Sequence, residues 1–135
     1  MRTKLAWLLA GACLLSNGVT TVAHHAFAAE FDANKPVKLV GTVTRVEWIN
    51  PHTWIHISVK NADGSTTEWA IEGGTPNTLL RRGLNRDSLP AGTEIVVEGY
   101  QAKAGGPRAN GRDLTFRDGR KLFLGSSGTG APTEK

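Results

Sequence analysis

Along residues 53–60, Ile55, Ile57 and Val59 alternate with Trp54, His56 and Ser58. A period of two gives a β-strand one apolar and one polar face. The preceding stretch, 37–48, is rich in β-branched residues (Val40, Thr42, Val43, Thr44, Val46) and predicts a long first strand. Gly41 and the broken alternation there predict a bulge that bends it. Asn61-Ala62-Asp63-Gly64 reads as a hairpin connection with Gly64 taking a positive φ, and 66–72 returns as a third strand with Trp69 and Ile71 on one face. After Gly73-Gly74, Thr75 is placed to cap a helix that begins at Pro76, turns Leu79 and Leu80 inward and stops at Gly83. A turn at 89–92 leads to a fourth strand over 94–101. Residues 102–111, rich in Gly, Pro and Ala, read as a flexible loop. Two short apolar runs, 114–116 and 121–124, flank Arg117-Asp118-Gly119-Arg120, whose Asp-Gly is a tight-turn signal that predicts a closing hairpin.

Three strands, a short helix and then two more strands is the order of an OB-like fold. The expected class is therefore all-β: a small five-stranded Greek-key barrel with one short helix between strands three and four. A β-sandwich with an incidental helix is the alternative. The barrel is expected to occupy 37–124, preceded by an extended arm at 24–36 that Pro36 ends and followed by a disordered tail at 125–135.

The amino-terminal 23 residues follow a different pattern. An apolar run from Leu5 to Leu15, preceded by Arg2 and Lys4 and followed by Thr21-Val22-Ala23, has the layout of a secretory signal peptide cut before His24. A cut after Ala28 is the alternative, and it would remove His24 and His25. The expected location is periplasmic or secreted. No later stretch approaches the ~20 apolar residues that span a bilayer. Cys13, the one cysteine, lies inside the leader; Ala10 stands where a lipoprotein site wants a larger aliphatic residue, so Cys13 reads as part of the leader core. Cutting at Ala23 leaves no thiol, so disulfides and cysteine-based metal sites are excluded and any metal must use nitrogen and oxygen ligands. It also removes Arg2 and Lys4, leaving 14 basic against 12 acidic residues. That balance argues against nucleic acid as a partner, since a surface that tracks phosphates carries a stronger excess.

The His24-His25-Ala26-Phe27 stretch, taken with Glu47-Trp48-Ile49-Asn50-Pro51-His52, resembles a family of small exported bacterial proteins that has no assigned activity. The resemblance covers most of the chain after the leader. It implies export and a compact β domain, and it carries no catalytic residues.

Two candidate chemistries remain. His52 and His56 share a face of the second strand by two-residue alternation, but their Cα atoms are roughly 13 Å apart in a regular strand, near the limit for one ion. A better set combines the free amine and imidazole of His24, with His25 beside it, and either His52 or His56. Three nitrogen ligands suit copper and tolerate zinc, and the arrangement resembles a histidine brace; Glu30 or Asp32 can add an oxygen. The second chemistry is stacking. Trp48, Trp54 and Trp69, with Asn50 in the turn between strands, are the candidate ligand-binding residues for an oligosaccharide or peptide on the sheet face that OB-like folds use. Two of these indoles are expected in the core and Trp54 outside it. No activated nucleophile, acid–base pair or phosphate loop can be located, so the chain reads as a binding module without catalysis, acting on a small ligand, a metal or a periplasmic protein.

Overall fold

A computed structural model describes residues 27–125. The chain is mostly β. A helical turn, α1 (27–30), leads into β1 (Phe31–Glu47), β2 (Trp54–Lys60) and β3 (Thr66–Glu72). A short helix, α2 (Pro76–Arg81), is followed by β4 (Glu94–Ala102), β5 (Arg108–Phe116) and β6 (Lys121–Phe123). The six strands form one sheet in the order β3-β2-β1-β4-β5-β6, antiparallel throughout except that β3 also pairs in parallel with β5 through Ala70↔Arg108, Ile71↔Ala109 and Glu72↔Asn110. That contact turns β1, β2, β3, β5 and β4 into a ring of bonded strands.

β1 makes the ring possible because it changes partner along its length. Its first part pairs with β4 and its last part with β2, and Gly41 and Thr42 pair on both sides. A Cβ on Gly41 would lie 2.8 Å from the Ser58 carbonyl oxygen, so glycine is what lets the two backbones close at this corner. The bulge itself falls at Thr44, between Val43 and Arg45, three residues beyond Gly41. The inward residues of every strand meet in one core: Leu39, Val43, Ile55, Ile57, Ile71, Ile95, Val97 and Leu114, sealed at one end by Leu79 of α2. A second cluster of Phe27, Phe31, Tyr100 and Ala102 ties α1 to β4.

Several local expectations hold closely. β3 occupies 66–72, Gly64 and Gly119 take positive φ in their turns, and the Thr75 hydroxyl accepts a hydrogen bond from the Thr78 amide at 3.1 Å with Pro76 as the first helical residue. Others are corrected. The sheet has six strands, because residues 121–123 pair with β5 as a strand of their own. The expected loop at 102–111 is confined to 103–107, since β4 runs to Ala102 and β5 starts at Arg108; buried Ala109 and the close backbone pair Gly99↔Gly111 hold β5 there, and neither leaves an alternating pattern. The expected arm at 24–36 is already structured from residue 27, where Phe27 packs edge-on against Tyr100 with ring centroids 5.7 Å apart. In α2 only Leu79 faces the core; Leu80 is 58% exposed, because so short a helix has one inward position per turn. Residues 126–135 and the leader lie outside the described residues.

Candidate functional site

The side chains with chemistry gather on the outer surface of β1, β2 and β3. In β2, Ile55 and Ile57 point into the core, so Trp54 and His56 project from the opposite face. The register then decides their neighbours. Glu47 of β1 and Glu72 of β3 flank Trp54, and Arg45 and Ala70 flank His56.

His52 precedes the strand. It follows a cis Asn50–Pro51 bond, and the next residue extends the β2–β3 ladder: the Thr53 amide donates to the Gly74 carbonyl at 3.0 Å, and the Gly73 amide donates to the Thr53 carbonyl at 2.8 Å. These bonds set the His52 ring against Glu72, with Nδ1 3.1 Å from Oε1. Glu72 is only 6% exposed. Burial, reinforced by the negative charge of Glu30, pushes its carboxyl up to about 7, against the opposing effects of Arg108 and a hydrogen bond from Asn110. Asn110, next to it in the parallel β3–β5 pairing, is itself buried, and its Oδ1 has no hydrogen-bond partner; neither has the buried Thr53 hydroxyl.

His56 sits in a different setting. Nε2 lies 3.4 Å from Glu47 Oε1 and Nδ1 lies 3.6 Å from Glu68 Oε1, so carboxylates face both ring nitrogens. Arg45 bridges the same two acids, Nε to Glu47 at 3.3 Å and Nη1 to Glu68 at 2.9 Å. Burial and then the Arg45 charge lower the imidazole's pKa, while Glu47 and Glu68 oppose them, so the neutral ring is favoured.

Arg108 joins the face from β5. Its guanidinium carbon stands 4.6 Å from the centre of the Trp54 ring, and Nη2 bonds Glu30 Oε2 at 2.9 Å. Glu30 ends α1, and its carbonyl accepts from the Lys103 amide at 2.9 Å, so the start of the described chain is fastened beside the same carboxylate cluster.

The sequence candidates are thus distributed unevenly. His52 and His56 both lie on this face, each with its own carboxylates, and His52 stands before β2 rather than within it. Trp54 is half-buried beneath Arg108. Trp48 and Trp69 pack against the core, and Asn50 is exposed in the β1–β2 turn. His24 and His25 lie outside the described residues. Among the described residues, no three His, Cys, Asp or Glu side chains converge to hold a metal ion. Sequence reasoning missed Glu72, Asn110 and Arg108. The alternation placed Glu72 on an outer face, where exposure is the usual state, and the parallel β3–β5 contact that buries it leaves no local signature.

A ring-closed, mostly β module with histidine–carboxylate pairs on one face is the class that the fold and the site define. Residues 11–111 match the model of a family of unknown function (DUF6152), and the chain belongs to that family. No curated protein matches it.

Proposed function

We propose that this chain is an exported, non-catalytic binding module built on an OB-like barrel, and that it takes copper or zinc at His52 together with the amine and imidazole of a processed amino-terminal His24. The closed strand order β1-β2-β3-β5-β4, with a helix between the third and fourth strands, supports the barrel reading; β6 is a hairpin added to it. The observation that carries the site is the convergence of α1 and His52 on one cluster. Glu30 bonds Arg108 and acts on Glu72, and Glu72 touches His52. From Phe27, which is anchored on Tyr100, three residues of chain reach back to His24, an extended span of at most about 11 Å. Of the two barrel histidines, His52 is the more available, with a side chain 30% exposed against 11% for His56.

The test is a copper titration of the chain beginning at His24. His52→Ala is expected to weaken binding at least tenfold, while His56→Ala leaves it within a few-fold. Unchanged affinity and stoichiometry in His52→Ala overturns the site. The stacking alternative narrows to Trp54, because Trp48 and Trp69 pack against the core while Trp54 lies on the outer face of β2 with Arg108 over its ring. It predicts a fluorescence response to oligosaccharides or peptides that Trp54→Ala removes.

A further inference from the structure

We infer that the cleft between the end of α2 and the β5–β6 hairpin binds the phosphate group of a small anion. Its volume is about 410 Å³, within the ~300–1,000 Å³ of small-ligand clefts, and it is lined by the side chains of Arg82, Ser88, Phe116, Arg120, Lys121 and Leu122, with no acidic residue among them. The floor is apolar, since Phe116 and Leu122 pack against the core. The rim is cationic. The segments that wall the cleft, 81–94 and 116–122, carry Arg81, Arg82, Arg86, Arg117, Arg120 and Lys121 against Asp87, Glu94 and Asp118. Glu94 is engaged by Arg117 at 3.0 Å and Asp118 by Arg120 at 2.7 Å. None of the lining residues belongs to the His52 face, so the inference stands apart from the metal reading.

Two of the three lining cations are held in position by the protein itself. Arg82 Nη1 donates to the Phe123 carbonyl at 3.0 Å and to the Gly125 carbonyl, and its guanidinium carbon stands 4.7 Å from the centre of the Phe123 ring. Its Nε and Nη2 have no hydrogen-bond partner among the described residues. Arg120 lies over Phe116, 4.6 Å from the ring centre, and donates from Nε to Asp118 Oδ2. Guanidinium forks fixed in this way lose little freedom when a ligand arrives. The third cation, Lys121, is exposed and makes no ion pair among the described residues. Burial, and then the charge of Arg81, lower the pKa of Arg82, a crowding of positive charge that a bound anion relieves. The convergence of three cations favours phosphate over carboxylate. A carboxylate offers two oxygens and a single charge, whereas a phosphate monoester presents three strong acceptor oxygens, carries about 1.5 to 2 negative charges at neutral pH and matches the guanidinium fork.

The experiment is a titration of ¹⁵N-labelled protein with inorganic phosphate at neutral pH and constant ionic strength, following the backbone amides of residues 82–88 and 120–122. The expected result is a saturable shift centred on those amides that acetate does not reproduce. A linear response without saturation, or equal saturation by acetate, overturns the inference. Arg82→Gln removes charge-assisted hydrogen bonds and is expected to weaken phosphate binding at least about tenfold. Lys121→Gln, at an exposed position, is expected to weaken it about threefold, while Lys38→Gln, which removes the same charge from β1, leaves it unchanged. Unchanged affinity in Lys121→Gln, or an equal loss in Lys38→Gln, also overturns the inference; if Arg82→Gln does not fold, the two lysine variants decide. Sedimentation with vesicles separates two sources of the same group. Binding to phosphatidylglycerol vesicles that Lys121→Gln weakens assigns a lipid headgroup, and saturation by phosphate with the vesicles left unbound assigns a soluble phosphate compound; either supports the cleft as the site.

Discussion

Replacing Glu72 by Gln removes a titration and leaves the shape of the side chain nearly intact. The wild-type carboxyl is raised from 4.5 to about 7 in the folded protein, chiefly by burial. The folded state therefore holds this proton more tightly than the unfolded chain does. Glu72 contributes stability that is fully present below pH 4.5 and is lost as pH rises through about 7, because between those limits folding must increasingly bury a negative charge. At about 1.4 kcal/mol for each pH unit separating the two states, the loss has a ceiling of about 3 kcal/mol. Burial and then the charge of Glu30 make up this loss, and Arg108 and the Asn110 side chain hold it down. The assay is urea denaturation of wild type and Glu72→Gln, with chelator present, at intervals from pH 4 to 8.5. The wild type is expected to lose ground to the variant as pH rises, with most of the change between pH 5 and 7.5. Parallel curves, or a wild type that gains on the variant, would refute the argument that Glu72 is buried as a reluctant anion.

Other consequences are open to the same kind of measurement. Gly99→Ala drives a methyl group to 2.0 Å from the Asn110 carbonyl oxygen, so at least ~1–3 kcal/mol of stability should be lost in denaturation; a neutral result would mean that β4 and β5 separate freely. Leu79→Ala, at the sealed end of the core, should cost ~2–5 kcal/mol, whereas Leu80→Ala next to it should change stability by less than ~0.5 kcal/mol; equal losses would contradict the orientation of α2. Arg108→Ala uncovers Trp54 and frees Glu30, so it should alter tryptophan emission and iodide quenching while costing no more than ~1 kcal/mol. Unchanged quenching would show that the guanidinium does not cover the ring in solution.

Much of the fold was legible in local chemistry. Ile55, Ile57 and Val59 set the face of β2, Thr75 and Pro76 mark the start of α2, and the Asp-Gly pairs mark two hairpin turns. What escaped depends on partners distant in the chain. β5 begins at Arg108 because Ala109 fits beside Ile71 and because Gly99 and Gly111 allow close approach, and a polar, glycine-containing run shows none of this. The candidate site divides in the same way. The histidines and Trp54 were visible as residue types with a shared alternation. Their settings were not: Glu72 is buried by β5, Arg108 reaches Trp54 through the parallel pairing, and His52 finds Glu72 through the Thr53–Gly73–Gly74 backbone bonds. The two histidines, equivalent by pattern, consequently differ in exposure and in the carboxylates beside them.

The proposed metal site joins a processed amino terminus to His52. Native mass spectrometry of untagged protein from the exported fraction tests it most directly, because one spectrum reports both the first residue and any bound ion. The expected mass is that of a chain beginning at His24 that carries one copper or zinc ion. A chain beginning at Ala29, or one beginning at His24 that stays metal-free with copper supplied, would contradict it.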